Sequence, residues 1–157
     1  MAITALGIDP DATVEPFMLP AAQAAHRQDL RDLLGGTVDA GVYHRQALLH
    51  VHGGGPRGQD LPLNVAAWTL ASAWRGMEIY GLYGTAVVTG PNRPDGGSAA
   101  LDDGLAQQVR AVCAAVRDVL AEWQTRSPAG EAAARAEVLA VARHELDRTP
   151  VARGGFA

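Results

Sequence analysis

The chain reads as an α+β protein: a small mixed or antiparallel sheet with two packed helices, followed by a C-terminal α-helical hairpin. Three observations predict this. Short apolar runs with β-branched residues, closed by Gly, Pro or Asp, recur at 3–8, 14–19, 37–43, 47–52 and 85–89, which is strand patterning. Between them, 21–34 and 64–74 switch to helical spacing. Past residue 91 the strand signal stops, and apolar side chains return in alternating steps of four and three. The implied organisation is an α/β domain over 1–91, a linker at 92–98, a helical hairpin appendage over 99–148 and a flexible tail at 149–157.

Each element has a local cause. Residues 3–8 end at Asp9-Pro10-Asp11, turn chemistry that returns the chain along 14–19 as a hairpin. Pro20 suits the first turn of a helix over 21–34. Its buried stripe is expected at Leu30, Leu33 and Leu34, with Arg27, Asp29, Arg31 and Asp32 facing solvent. Gly35-Gly36 should stop that helix with one glycine at positive φ. Strands 37–43 and 47–52 are expected to pair antiparallel through His44-Arg45-Gln46. Residues 53–60 hold four glycines and a proline and read as an exposed loop. Asn64 is the natural N-cap of the next helix, with Leu63, Ala67, Leu70, Ala71 and Trp74 inward. In the C-terminal part, Leu105, Val109, Val112, Val116, Val119 and Trp123 form a heptad-like seam. Ser127-Pro128 breaks that helix, and 129–148 follows with mostly alanine on its apolar positions.

Composition narrows the chemistry. All 13 basic residues are arginines, so no lysine is present for a Schiff base, a lysine general base or a phosphate-loop lysine. Arginine without lysine points to a GC-rich genome, such as that of an actinobacterium or its phage. The net charge of −4 is spread over the chain: residues 1–60 carry seven acids and four arginines, residues 101–148 eight acids and six arginines. No basic arm forms, so the footprint of a nucleic-acid binder is missing. Cys113 is alone, and residues 1–9 lack a positively charged leader. No run approaches the ~20 apolar residues of a membrane span. A reduced, cytoplasmic setting is the expectation.

The stretch 33–91 carries a family resemblance. Leu33-Leu34-Gly35-Gly36 before a strand, the paired strand 47–51, Leu61-Pro62-Leu63-Asn64-Val65-Ala66 opening a helix, and the final strand 84–91 resemble domain-of-unknown-function family 3846. That family occurs in actinobacteria and their phages and plasmids, and 3–19 fits its opening hairpin. The resemblance implies a fold and a genomic context for about the first 91 residues, and no site.

Candidate chemistry gathers at the end of the second strand pair. His50 and His52 are two apart on a strand and share one face, so both imidazoles could serve a metal, with His44 near. The plainer expectation is two histidines on a solvent-facing side with Leu49 and Val51 inward; no third ligand is evident, and no metal is expected. His52-Gly53-Gly54-Gly55 imitates an esterase oxyanion sequence, but Ser72, Ser98 and Ser127 all lack a nucleophile-elbow setting. The same glycines with Arg57 could cradle an anion through backbone amides. Cys113 reads as a small buried hydrophobe. Trp68, Trp74, Tyr80 and Tyr83 read as the main aromatic core.

No catalytic set and no cofactor motif is complete. The leading expectation is therefore a non-catalytic interaction protein acting by protein–protein contact. The family resemblance adds to it an accessory role in a mobile element or actinobacterial genome, against host defence, with a host or phage protein as partner. The protein would be a homodimer, with the seam Leu105, Val109, Val112, Val116, Val119 and Trp123 as interface. The alternative is a small enzyme or a ligand- or anion-binding protein using His50, His52, Gly53, Gly54, Gly55 and Arg57.

Overall fold

In the computed structural model, which describes residues 2–54 and 61–150, the strand patterning resolves into one antiparallel sheet. Its strands are β1 (Ala2–Ile8), β2 (Val14–Pro20), β3 (Val38–His44), β4 (Ala47–His52) and β5 (Ala86–Thr89), in the order β2-β1-β5-β4-β3. The helices are α1 (Gln23–Leu34), α2 (Val65–Arg75), α3 (Asp103–Glu122) and α4 (Glu131–Arg148). This is an α+β fold with a C-terminal helical pair. Among the described residues no helix is long and apolar enough to cross a membrane.

Register sorts the side chains of the sheet onto two faces. Leu6 lies opposite Val88, and Leu49 opposite the same Val88, so these three form one row across β1, β5 and β4. That face belongs to a large apolar cluster shared with α2, α3 and α4. One residue along, Val87 lies opposite both Gly7 and His50, and that row faces the other way. There Ile3, Ala5, Leu19 and Val87 join Leu30 and Leu34 of α1 in a second, smaller cluster. The sheet is therefore covered on both faces, by α1 alone on one side and three helices on the other.

Three local expectations meet the structure directly. Gly35 sits at φ 82° and its N–H closes α1 on the Arg31 carbonyl, where a β-branched residue would be strained. Gly36 serves a different need: a Cβ there would lie 2.7 Å from Nε2 of His52, so only glycine lets that ring approach. Asn64 caps α2 by accepting from the Ala67 N–H at 3.0 Å. Its Nδ2 also donates to the carbonyls of Ile8 and Gly84, both at 2.9 Å, and the side chain is fully buried. One residue thus ties the start of α2 to the end of β1 and the approach to β5.

Three expectations need correction. Leu63, expected inward, precedes the Asn64 cap of α2 and is 48% exposed. The stripe of α1 is His26, Leu30 and Leu34, spaced i, i+4, i+8, whereas Leu33 is 37% exposed. The seam of α3 is closed inside the chain: Leu105, Val109, Val112 and Val116 are fully buried and Val119 nearly so, against α2 and against Val138, Leu139 and Ala142 of α4. Alanines on α4 do leave area uncovered, as the sequence implied, but α2 and the sheet supply the remainder. Those five side chains are not available as an interface, and Trp123, half-buried, lines a surface groove instead. Of the segment 92–98, Asn92 bridges to Ser98, and the Gly90 N–H donates to the Ala99 carbonyl, so the chain folds back over α1. Beyond Pro150 the tail lies outside the described residues.

Candidate functional site

Of the buried polar residues among those described, Asn64, Thr69, Ser72 and Gln108 lie on the helical side of the sheet, and His26, His50, His52, Thr89 and Ser98 on the face under α1. His50 and His52 point there, since Leu49 and Val51 point to the helical cluster, and both imidazoles are buried at 5% and 8% exposure. The strand β4 lies between β5 and β3 and α1 covers its histidine side, so that side is interior rather than solvent-facing.

Hydrogen bonding sets the role of one nitrogen in each of two rings. The Thr89 hydroxyl donates to the Gly90 carbonyl at 2.9 Å, so its oxygen must accept from Nε2–H of His50, also at 2.9 Å. Burial, with repulsion from neighbouring His26 added, lowers the His50 pKa to about 4. His52 accepts the Gly54 N–H at Nδ1, at 3.0 Å. Gly53 gives its N–H to the Thr37 carbonyl at 2.7 Å. The two described amides of the glycine loop are therefore engaged internally and cannot receive an anion. Gly55 and Arg57, the other members of the expected ligand loop, lie outside the described residues.

His26 differs from its neighbours. Its ring meets His50 edge-on, with centroids 6.4 Å apart, and Nε2 lies 3.1 Å from the Ser98 hydroxyl. The residue is only 3% exposed, yet Nδ1 has no hydrogen-bond partner. A buried polar atom left unpaired costs about 1–3 kcal/mol, so such an atom calls for an explanation.

A cavity of about 400 Å³ adjoins this cluster, lined by His26, Arg27, Leu30, Arg31, Thr37, Val38, His50, Asn92, Gly96 and Ser98. No carboxylate is in the lining. Arg27 and Arg31 stand one helical turn apart beside the buried stripe, and neither forms an ion pair among the described residues. Arg93, Arg126, Arg135 and Arg148, by contrast, all hold a carboxylate. The start of α1 adds to the positive potential: Ala22 offers no side-chain cap and the first turn has no acid.

The arrangement can accept negative charge. A serine–histidine contact is present in outline, but no described group orients His26 from Nδ1, the third element that nucleophilic catalysis uses. Among the described residues no group of three or more His, Cys, Asp or Glu side chains is placed to hold a metal ion. Cys113 is fully buried, and burial pushes its thiol up to about 12, which keeps it protonated and inert.

The other candidates scatter. Trp74 packs on His44 with centroids 5.2 Å apart and donates to Gln108 at 3.0 Å. Gln108 in turn donates to the Thr149 carbonyl, a polar tie among α2, α3 and the end of α4 that apolar periodicity does not reveal. Trp68, Tyr83 and Trp123 line a groove of about 540 Å³ beside α4, spanned by the Arg135–Glu78 ion pair. Tyr80 is 74% exposed and not core. Ser98 and His26 were missed as a pair because nothing local in the sequence joins residues 72 apart.

Comparison with protein-family models, with curated proteins and with solved structures finds no match for the chain.

Proposed function

We propose that this is a ligand-binding protein whose ligand, a small molecule bearing an anionic group, occupies the cavity between α1 and the sheet. The observation that carries this reading is the pair Arg27 and Arg31, which line the cavity beside buried His26 and which no described carboxylate neutralises. Cations with no carboxylate partner among the described residues gain such a partner when an anion binds. The resemblance of 33–91 to family 3846 contributes no residue to this site. Thermal unfolding against a panel of small anions and neutral molecules tests the reading. A ligand that binds only the native state raises stability by about 2.7 kcal/mol at a hundredfold excess over Kd. The expected result is stabilisation by anions that is lost in Arg27→Glu/Arg31→Glu. Stabilisation by no member of the panel would contradict it.

A second reading, contact with another protein, is supported by exposed Leu63 in the groove beside α4 and by exposed Met77 and Tyr80, whose sequence neighbours Glu78, Ile79 and Gly81 line it. It inherits the interaction expectation, moved off the α3 seam. Sedimentation of the parent and of Leu63→Glu/Met77→Glu tests it: association in the parent that the variant loses supports it, and a parent that stays monomeric at high concentration contradicts self-association.

A further inference from the structure

We infer that the ligand of the cavity under α1 is a phosphate monoester with a small apolar body, its phosphate held between Arg27 and Arg31. This rests on the anion-site reading above and adds the ligand's class. Charge is the first argument. Two guanidinium groups one turn apart, with no carboxylate in the lining, match a dianion; a single carboxylate would leave one of them uncompensated. A phosphate monoester carries about −1.5 to −2 charge at neutral pH and three acceptor oxygens.

Donor number is the second argument. Arg27, Arg31, Asn92 and Thr37, all with side-chain donors, line the cavity alongside the Ser98–His26 pair. That is more donor capacity than the two coplanar oxygens of a carboxylate can receive, and a tetrahedral group with three free oxygens uses it better. The uncapped N-terminus of α1, without an acid in its first turn, favours the same charge.

The apolar part of the lining is the third. Leu30 and Val38 share the wall with the polar groups, and at about 400 Å³ the cavity has room for more than a bare ion. An organic body against Leu30 and Val38 with its phosphate toward Arg27 and Arg31 uses both halves of the wall. Inorganic phosphate alone uses one.

Isothermal titration of the full chain with phenyl phosphate, inorganic phosphate, benzoate and phenol tests this at fixed pH and salt. The expected order is phenyl phosphate tightest, inorganic phosphate at least tenfold weaker, and benzoate weaker again. Arg27→Ala and Arg31→Ala should each weaken phenyl phosphate at least tenfold, and Arg110→Ala, on the exposed side of α3, should leave it unchanged. Both cavity arginines are exposed at the surface, so their variants should melt like the parent, which confirms that lost binding is not lost folding. Benzoate or phenol binding as tightly as phenyl phosphate, with the same arginine dependence, would overturn the phosphate assignment and leave the cavity reading standing. Binding of none of the four would overturn both.

Discussion

Asn64 and His26 are both buried polar side chains, on opposite sides of the same sheet, and they are treated in opposite ways. Asn64, on the side of the three helices, makes every bond its position offers: it caps α2 and donates to two strand-end carbonyls. His26, under α1, reaches Ser98 with one nitrogen and leaves the other unpaired next to a cavity. The helical side is the more extensively packed, with Leu6, Ile8, Leu49 and Val88 in one cluster with α2 and α3. The α1 side has a smaller apolar cluster, and two imidazoles, two hydroxyl residues and two arginines without a described carboxylate partner line its cavity. Complete satisfaction marks a group that builds the fold. Incomplete satisfaction, at a cost the fold tolerates, marks where a partner belongs.

The largest expected effect breaks the satisfied side. Asn64→Leu removes a cap worth about 1 kcal/mol and strands two buried carbonyls, for a total of about 3–5 kcal/mol. Urea unfolding should show the midpoint fall accordingly. A loss under 1 kcal/mol would mean that water replaces the amide and that the contrast with His26 is overstated.

The next effect concerns pH. His50 titrates near 6.5 when unfolded and at about 4 when folded, because burial and His26 disfavour its charge. Between those values the unfolded chain binds more protons. Stability from this group is therefore complete above pH 6.5 and falls as pH drops, by about 3 kcal/mol on reaching pH 4. His50→Gln keeps a donor toward Thr89 without a titrating ring. Its unfolding free energy should be flatter than the parent's between pH 6.5 and 4; identical slopes would show that His50 charges freely in the folded protein.

The smallest effect sharpens the comparison. Replacing both members of the His26–Ser98 pair, as His26→Leu/Ser98→Ala, removes the unpaired nitrogen along with the bond, so the change should lie within about 1 kcal/mol of the parent. A loss as large as that of Asn64→Leu would make the pair structural.

Much of the fold was legible because its signals are local. Turn residues delimit the strands, Gly35 and Asn64 mark helix ends by backbone chemistry, and 47–52 matches β4 residue for residue. The shared face of His50 and His52 was legible too, since alternation requires it. Their burial was not, because it depends on β4 lying inside the sheet and α1 lying across it. The stripe of α1 was half legible: Leu30 and Leu34 were read, but hydrophobicity drew Leu33 in where helical spacing selects His26. Heptad-like spacing on α3 correctly promised a helix contact, yet spacing does not say which surface makes it. Ser98 had no signal at all, because its position comes from a fold-back set by the Asn92–Ser98 bridge.

The most direct measurement is a long-range ¹H–¹⁵N spectrum of the histidine ring nitrogens, recorded without ligand and with phenyl phosphate added. Without ligand, His50 should carry a proton on Nε2, as its bond to Thr89 requires. Its Nδ1 should be unprotonated at neutral pH, because burial lowers the pKa to about 4. On addition, the largest ring-nitrogen change should fall on His26, with His144, on the far side of the molecule's core in α4, unmoved. Saturating binding that leaves His26 unchanged would place the ligand elsewhere and contradict the account.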